Sequence, residues 1–399
     1  MATPVHELDL PELDMLNLER RLDRSSSLAQ RGDHWLVKNM MGYGVSRYDD
    51  VVAILRDRRW HSALAYIPAM TMERPGRTGS ILTMEGPNHS RLRRLAAPAF
   101  TPKAADRLRP FMREVVNGLV DTVADAGRCE LVADVCEPYP IPIICELLGA
   151  PKQDWKLFSN WATDIFRIFN NDIENDAPKI AAAGEELDAY VRELIAQRRA
   201  DPADDLLSDM IAAEEEGDRM STDELVMMSE AVLMAGTDTT RNQLACSVAL
   251  FTEHPEQWAL LAEQPELAPR AVEESMRVLG AVGGTARIAS EDIEYRDVLF
   301  PKGTIVGTSL ANANLDDDVF ADPFTFDITR EAGSPQMTFG SGIHFCMGAN
   351  LARAELQEAL PLLAQRMPNL STYADIEWKA ANIGIWGPAK LPLQFSRSI

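Results

Sequence analysis

Ten residues, Phe339 to Gly348, read Phe-Gly-Ser-Gly-Ile-His-Phe-Cys-Met-Gly. Their types and order suit metal chemistry. Cys346 sits among glycines, just ahead of apolar residues at helical spacing: Ala349, Ala352, Leu356, Ala359, Leu360 and Leu363. That spacing predicts a helix with the cysteine at its N-terminus, where unpaired N–H groups and the helix dipole favour a thiolate over a thiol. Gly340 and Gly342 permit positive φ and close approach of the backbone to a flat partner. A thiolate so placed is ready for a soft metal centre. A phosphate cradle would need the lysine and Ser/Thr of a P-loop, which are missing. Zinc held by His344 and Cys346 would need two further ligands, and none is evident.

Three other groupings carry chemistry. Ala235-Gly-Thr-Asp-Thr-Thr240 places a glycine, three threonines and a carboxylate inside an apolar helical pattern. Each of these weakens a helix interior or competes with its backbone bonds, so they predict a local groove, with Asp238 in need of a partner or water. Glu274 and Arg277 share a helix face at i, i+3. His89 and Arg93 stand one turn apart and could clamp one anionic group.

The elements that must position these groups are mostly helical. Ser221-Thr-Asp-Glu224 has the form of a capping box and opens a long apolar helix ending at His254-Pro255. A helix of about 30 residues is roughly 45 Å long and crosses a whole domain. Pro265, Pro269 and Gly280 bracket the helix of Glu274. Two short strands are expected over 34–38 and 43–47, others over 286–288, 297–300 and 304–308, and the tail from Leu370 reads as strand-rich. Glu214-Glu215-Glu216-Gly217 reads as a charged surface loop. No internal repeat and no linker is visible, which predicts a single domain over 1–399.

With 399 residues, 46% hydrophobic and 25% charged, the composition is that of an ordinary globular protein. A net charge of −22 argues against nucleic acid or an anionic membrane as partner. Five scattered cysteines without a framework argue for a reducing compartment, and no apolar run near the N-terminus suits a signal or an anchor. The expectation is a cytoplasmic monomer. One basic island interrupts the acidity: Arg91, Arg93, Arg94, Lys103, Arg107, Arg109 and Arg113 against Asp106 alone. It suggests an acidic protein partner.

The decapeptide resembles the haem-binding loop of the cytochrome P450 family, Phe-Gly-x-Gly-x-His-x-Cys-x-Gly, at every fixed position. The resemblance covers essentially the whole chain. It implies a mainly α fold with small β-sheets, haem b between the long central helix and the Cys-loop helix, and the soluble bacterial type. By resemblance Cys346 is the axial thiolate of haem iron, set in the motif by Phe339, Gly340 and Gly348. His344, His89, Arg93 and Arg287 would approach the propionates. Ala235 would border the haem, Gly236 would leave room for dioxygen, and Asp238 and Thr239 would relay protons. Glu274 and Arg277 match a buried pair that often has a third partner, an arginine. Thr325 stands in the matching segment, which leaves the usual triad in question.

The family role implied is a monooxygenase that oxidises a hydrophobic small molecule. Its electrons would come from a ferredoxin and its reductase, because no redox module fits beside the haem domain. By fold analogy Ile67, Leu82, Phe169, Leu233, Val282 and Ile385 line the substrate pocket, with Met70 and Met72 adding adaptability. Two alternatives stay open. One is a peroxide-driven or dehydrating enzyme on the same scaffold, and the other a haem sensor or ligand carrier without turnover.

Overall fold

The structure, a computed structural model, describes residues 2–13, 22–23, 32–66, 80–169, 173–215, 220–331, 333–380 and 384–397. Seven helices build the site and are numbered here in chain order: α1 Tyr48–Arg56, α2 Gly86–Ala96, α3 Pro102–Asp121, α4 Pro140–Leu148, α5 Thr222–Glu253, α6 Ala268–Val278 and α7 Ala349–Arg366.

Helix α5 forms as its sequence dictates. Ser221 Oγ accepts from Glu224 N at 3.3 Å while Glu224 Oε2 accepts from Ser221 N at 2.8 Å. This satisfies two of the backbone donors that a helix start leaves free. The helix runs unbroken through the threonine-rich stretch and stops at His254, ahead of Pro255. It is buried along most of its length, with Ala235 exposed and Thr239 partly open. Helix α5 packs on α4 and α7, and α7 packs on α3 and α6. Val116, Met112, Leu225, Met228, Leu360 and Leu363 belong to the single large core these helices share.

A five-stranded sheet flanks the helices, with β1 Leu36–Asn39, β2 Gly42–Val45, β3 Trp60–Ser62, β4 Gly284–Ala289 and β5 Ile305–Ser309. Its order is β1-β2-β5-β4-β3. β2 and β5 run parallel; the other pairs are antiparallel. The hairpin expected over 34–38 and 43–47 forms two residues later in β1 and ends two earlier in β2. Arg47 is drawn out of the strand: it precedes α1 and its guanidinium reaches Asp316 Oδ1 at 3.1 Å. The expected strand at 297–300 is Val298–Phe300, paired with Ile293–Tyr295 and, in parallel, with Thr3–Pro4 near the N-terminus. Strand Pro392–Gln394 of the tail pairs with Arg128–Glu130, a partner its own sequence could not name. The acidic loop expected at 214–217 falls partly outside the described residues. Among the described residues no helix is long and apolar enough to cross a membrane.

Candidate functional site

The Cys346 loop is a backbone construction. Gly340 N donates to Met337 O at 2.7 Å, Phe345 N to Gly342 O at 3.1 Å and Cys346 N to Phe339 O at 3.0 Å. Gly342 has φ +73°, and a Cβ there would lie 2.1 Å from Leu55 O at the end of α1. Only glycine satisfies both the angle and the space. Cys346 is exposed, whereas Cys129, Cys136, Cys145 and Cys246 are buried. Gly348 is the residue that caps α7, and its N–H bonds to the Cys346 sulfur. Although Cys346 is open to solvent, crowding by the surrounding chain pushes the thiol up from its ordinary value, against the pull of the Gly348 N–H, Arg93 and Arg353. Coordination to a metal takes the proton off such a thiol outright.

The second grouping lies on α5. Thr239 Oγ1 donates to Ala235 O at 2.7 Å and Thr237 Oγ1 to Leu233 O at 2.9 Å, so the hydroxyls bond within the helix, one turn back. Asp238, 4% exposed, forms an ion pair with Arg241, three residues on. Arg241 had been overlooked, although the i, i+3 spacing was there to be read. Asn242 Nδ2 donates to Asp238 O at 2.7 Å, and Lys379 Nζ donates to Asn242 Oδ1 at 2.8 Å. Gly236 has a packing role of its own. A Cβ there would lie 2.3 Å from Ile144 Cδ1, so the missing side chain is where α4 packs against α5.

Basic groups gather beside the Cys loop. His89 is 1% exposed and its Nε2 has no hydrogen-bond partner among the described residues. Burial, reinforced by His344 and Arg93, pushes its pKa down to about 4. The His89 and His344 rings lie 4.5 Å apart, and His344 Nε2 is 2.9 Å from Glu85 Oε1. Arg287, 4% exposed, donates to Ala286 O at 3.0 Å and Thr285 Oγ1 at 3.3 Å. Among the described residues no carboxylate pairs with it, and burial pushes its pKa down to about 10. Arg93 donates to Phe345 O at 2.6 Å, tying α2 to the Cys loop. Buried cations are normally paired. A flat cofactor carrying carboxylate arms fits this set: the arms would meet Arg287 and His89, and the metal would meet Cys346.

Behind the loop, Glu274 and Arg277 form a bidentate pair, with both distances 2.8 Å. The third partner is present after all. Arg330 Nε lies 3.1 Å from Glu274 Oε1, and Arg277 uses its remaining donors on Asn314 O, Pro323 O and Thr325 O. The sequence reading sought the arginine at Thr325; the turn through Asp322, with φ +48°, brings the later Arg330 back to Glu274. Part of the basic island is also spoken for. Arg91 pairs with Glu224, Arg109 with Asp106 and Glu358, and Arg113 with Glu358. Arg94, Lys103 and Arg107 are exposed.

Of the expected pocket residues, Val282 and Ile385 meet in an isolated β-bridge and Leu82 is 47% exposed. Leu233, at 3% exposed, belongs instead to the large core. Phe169 closes the short turn Phe166–Phe169. Ile67, Met70 and Met72 lie outside the described residues.

Comparison with known proteins agrees with this geometry. The family model for cytochrome P450 matches residues 34–367. The chain is 40% identical over 359 residues to nocardicin C N-oxygenase of Nocardia uniformis subsp. tsuyamanensis, covering 88% of each. It is 38% identical over 361 residues to mycinamicin IV hydroxylase/epoxidase of Micromonospora griseorubida, again covering 88% of each. Among solved structures, that of CalO2 superimposes with a TM-score of 0.91 at 28% identity, covering 97% of this chain and 100% of that one. The chain belongs to the cytochrome P450 family and is a haem b monooxygenase of the bacterial type.

Proposed function

We propose that this chain, acting as one domain over 1–399 and as a cytoplasmic monomer, oxidises a hydrophobic small molecule with dioxygen and two electrons from a ferredoxin and its reductase. The observation that carries the reading is the set formed by exposed Cys346, on a rigid glycine loop, with buried Arg287, which has no ion-pair partner among the described residues, and buried His89, whose Nε2 has no hydrogen-bond partner among them. Cys346 would hold the haem iron, and His89, Arg93, Arg287 and His344 would meet the propionates. Haem held there supplies a redox-active iron for activating dioxygen.

The chain's own residues then do three things. The Cys loop fixes the thiolate through Gly348 N–H and keeps two positive charges, Arg93 and Arg353, nearby. On α5, the Asp238 carboxylate and the Thr239 hydroxyl would pass protons beside the open stretch at Ala235. Asp238 is kept inside by Arg241, and Thr239 can release Ala235 O to donate toward the cleft. Half-buried Val282 and Ile385 keep the substrate side apolar. Exposed Arg94, Lys103 and Arg107 offer a cationic face beside α2 and α3 for an acidic ferredoxin, and steering of this kind weakens with salt.

The test is Thr239→Ala, assayed with a ferredoxin–reductase pair and with peroxide alone. The expected outcome is continued consumption of reductant with most product lost and peroxide released, while peroxide-driven turnover changes little. Unchanged coupling in the ferredoxin assay removes Thr239 from proton delivery. Turnover with peroxide only, even in the parent chain, would favour the peroxide-driven reading.

A further inference from the structure

Gln243 is 5% exposed and stands on α5 one turn beyond Thr239. The oxygen relay and the core packing do not use it. Its Oε1 accepts from Ala281 N at 2.8 Å, and its Nε2 donates to Leu279 O at 3.2 Å and to Ser247 Oγ at 3.3 Å. One side chain therefore holds two backbone groups of the turn between α6 and β4. That turn leads directly to Val282, which bridges Ile385, and Trp386 N donates to Ala281 O at 2.9 Å. The second segment is fastened to the same helix. Cys246 Sγ lies 3.7 Å from Trp386 O, and a Cβ on Gly387 would lie 3.0 Å from Asn242 Oδ1. The turn also rests against Thr338, whose Oγ1 lies 2.7 Å from where a Gly280 Cβ would be.

We propose that Gln243 is a positioning residue for substrate selectivity: it fixes where the segments carrying Val282 and Ile385 lie relative to Thr239. This rests on the reading of Val282 and Ile385 as pocket residues in a haem-loaded enzyme. An amide is suited to the task. It offers an acceptor to Ala281 and a donor to Leu279 at once, with no charge to bury. Leucine of similar volume would leave both backbone groups unpaired, and a buried unpaired group drives its segment to shift.

The test uses the haem-loaded protein and two iron-binding probes. Imidazole reaches the iron and little else, while 4-phenylimidazole also fills the space over it. Spectral titration of Gln243→Leu is expected to leave the imidazole Kd within about twofold and to change the 4-phenylimidazole Kd about tenfold, the size expected for losing a hydrogen bond. Gln243→Glu adds an independent readout. Its protonated carboxyl can make both bonds and its ionised form cannot donate. With each Kd referred to the neutral form of its probe, the ratio of the two is therefore expected near that of the parent at low pH and to move away as pH rises, while the parent ratio stays flat. A ratio unchanged in Gln243→Leu, or independent of pH in Gln243→Glu, overturns the assignment. Should Gln243→Leu fail to load haem, the pH series of Gln243→Glu decides alone. If the parent itself gives no iron–nitrogen spectrum with imidazole, the haem reading fails first and the assignment falls with it.

Discussion

The Cys346 loop and helix α5 are built by opposite means. At the Cys346 loop, backbone does the positioning: three short turns, two glycines with positive φ and one N–H on the sulfur. In α5, the backbone is an uninterrupted helix and side chains do everything. Thr237 and Thr239 bond one turn back, Asp238 is paired with Arg241, and Ile144 fills the notch at Gly236. A backbone construction is local, so its residue pattern announces it. A side-chain construction depends on neighbours brought from elsewhere. The first tolerates few substitutions; the second is expected to fail one function at a time.

The largest expected effect lies behind the Cys loop. Glu274 is 4% exposed and bonded to both Arg277 and Arg330. Glu274→Ala leaves two guanidinium groups without their carboxylate and should cost about 3–5 kcal/mol, read in thermal or denaturant unfolding, with loss of haem retention. Arg330→Ala should cost less, because the bidentate Arg277 pair survives it. Equal costs would mean that Arg330 matters as much to Glu274 as its bidentate partner.

Next in size is the packing of α5. Gly236→Val should cost about 1–3 kcal/mol by crowding Ile144. Combined with Ile144→Ala, it should cost measurably less than the two single changes added together. Simple additivity would show that the notch is not filled by Ile144, and would return Gly236 to the role of leaving space in the cleft.

The smallest effect is a pH dependence at the basic end. His89 has its pKa pushed down to about 4, so the folded chain resists taking up a proton that the unfolded chain accepts near 6.5. Stability that this group contributes is complete above about pH 6.5 and falls as pH drops toward about 4. The chain stripped of haem should therefore lose stability across that window, and His89→Gln should flatten this part of the profile. Carboxylate arms beside His89 favour its charged form, so the haem-loaded protein should show a smaller slope. Equal slopes with and without haem would place the propionates elsewhere.

How much of this could be read from the sequence follows the same division. The Cys loop, its helix and the capping box at Ser221 were legible because each is fixed by residues within a few positions. The strands of the sheet were found with ends displaced, since Arg47 answers to Asp316 far along the chain. Arg330 was missed because no spacing rule describes a turn that reverses at Asp322. The basic island looked uniformly available, yet Glu224 and Glu358, from distant helices, neutralise Arg91, Arg109 and Arg113.

The central claim is that Cys346 is the ligand of the haem iron. The absorption spectrum of the reduced protein under carbon monoxide, for the parent chain and for Cys346→Ser, tests it most directly. The account predicts the strongly red-shifted Soret band of a thiolate-ligated haem in the parent and its loss in Cys346→Ser. An unshifted band in the parent, or a red-shifted band that survives in Cys346→Ser, would contradict it.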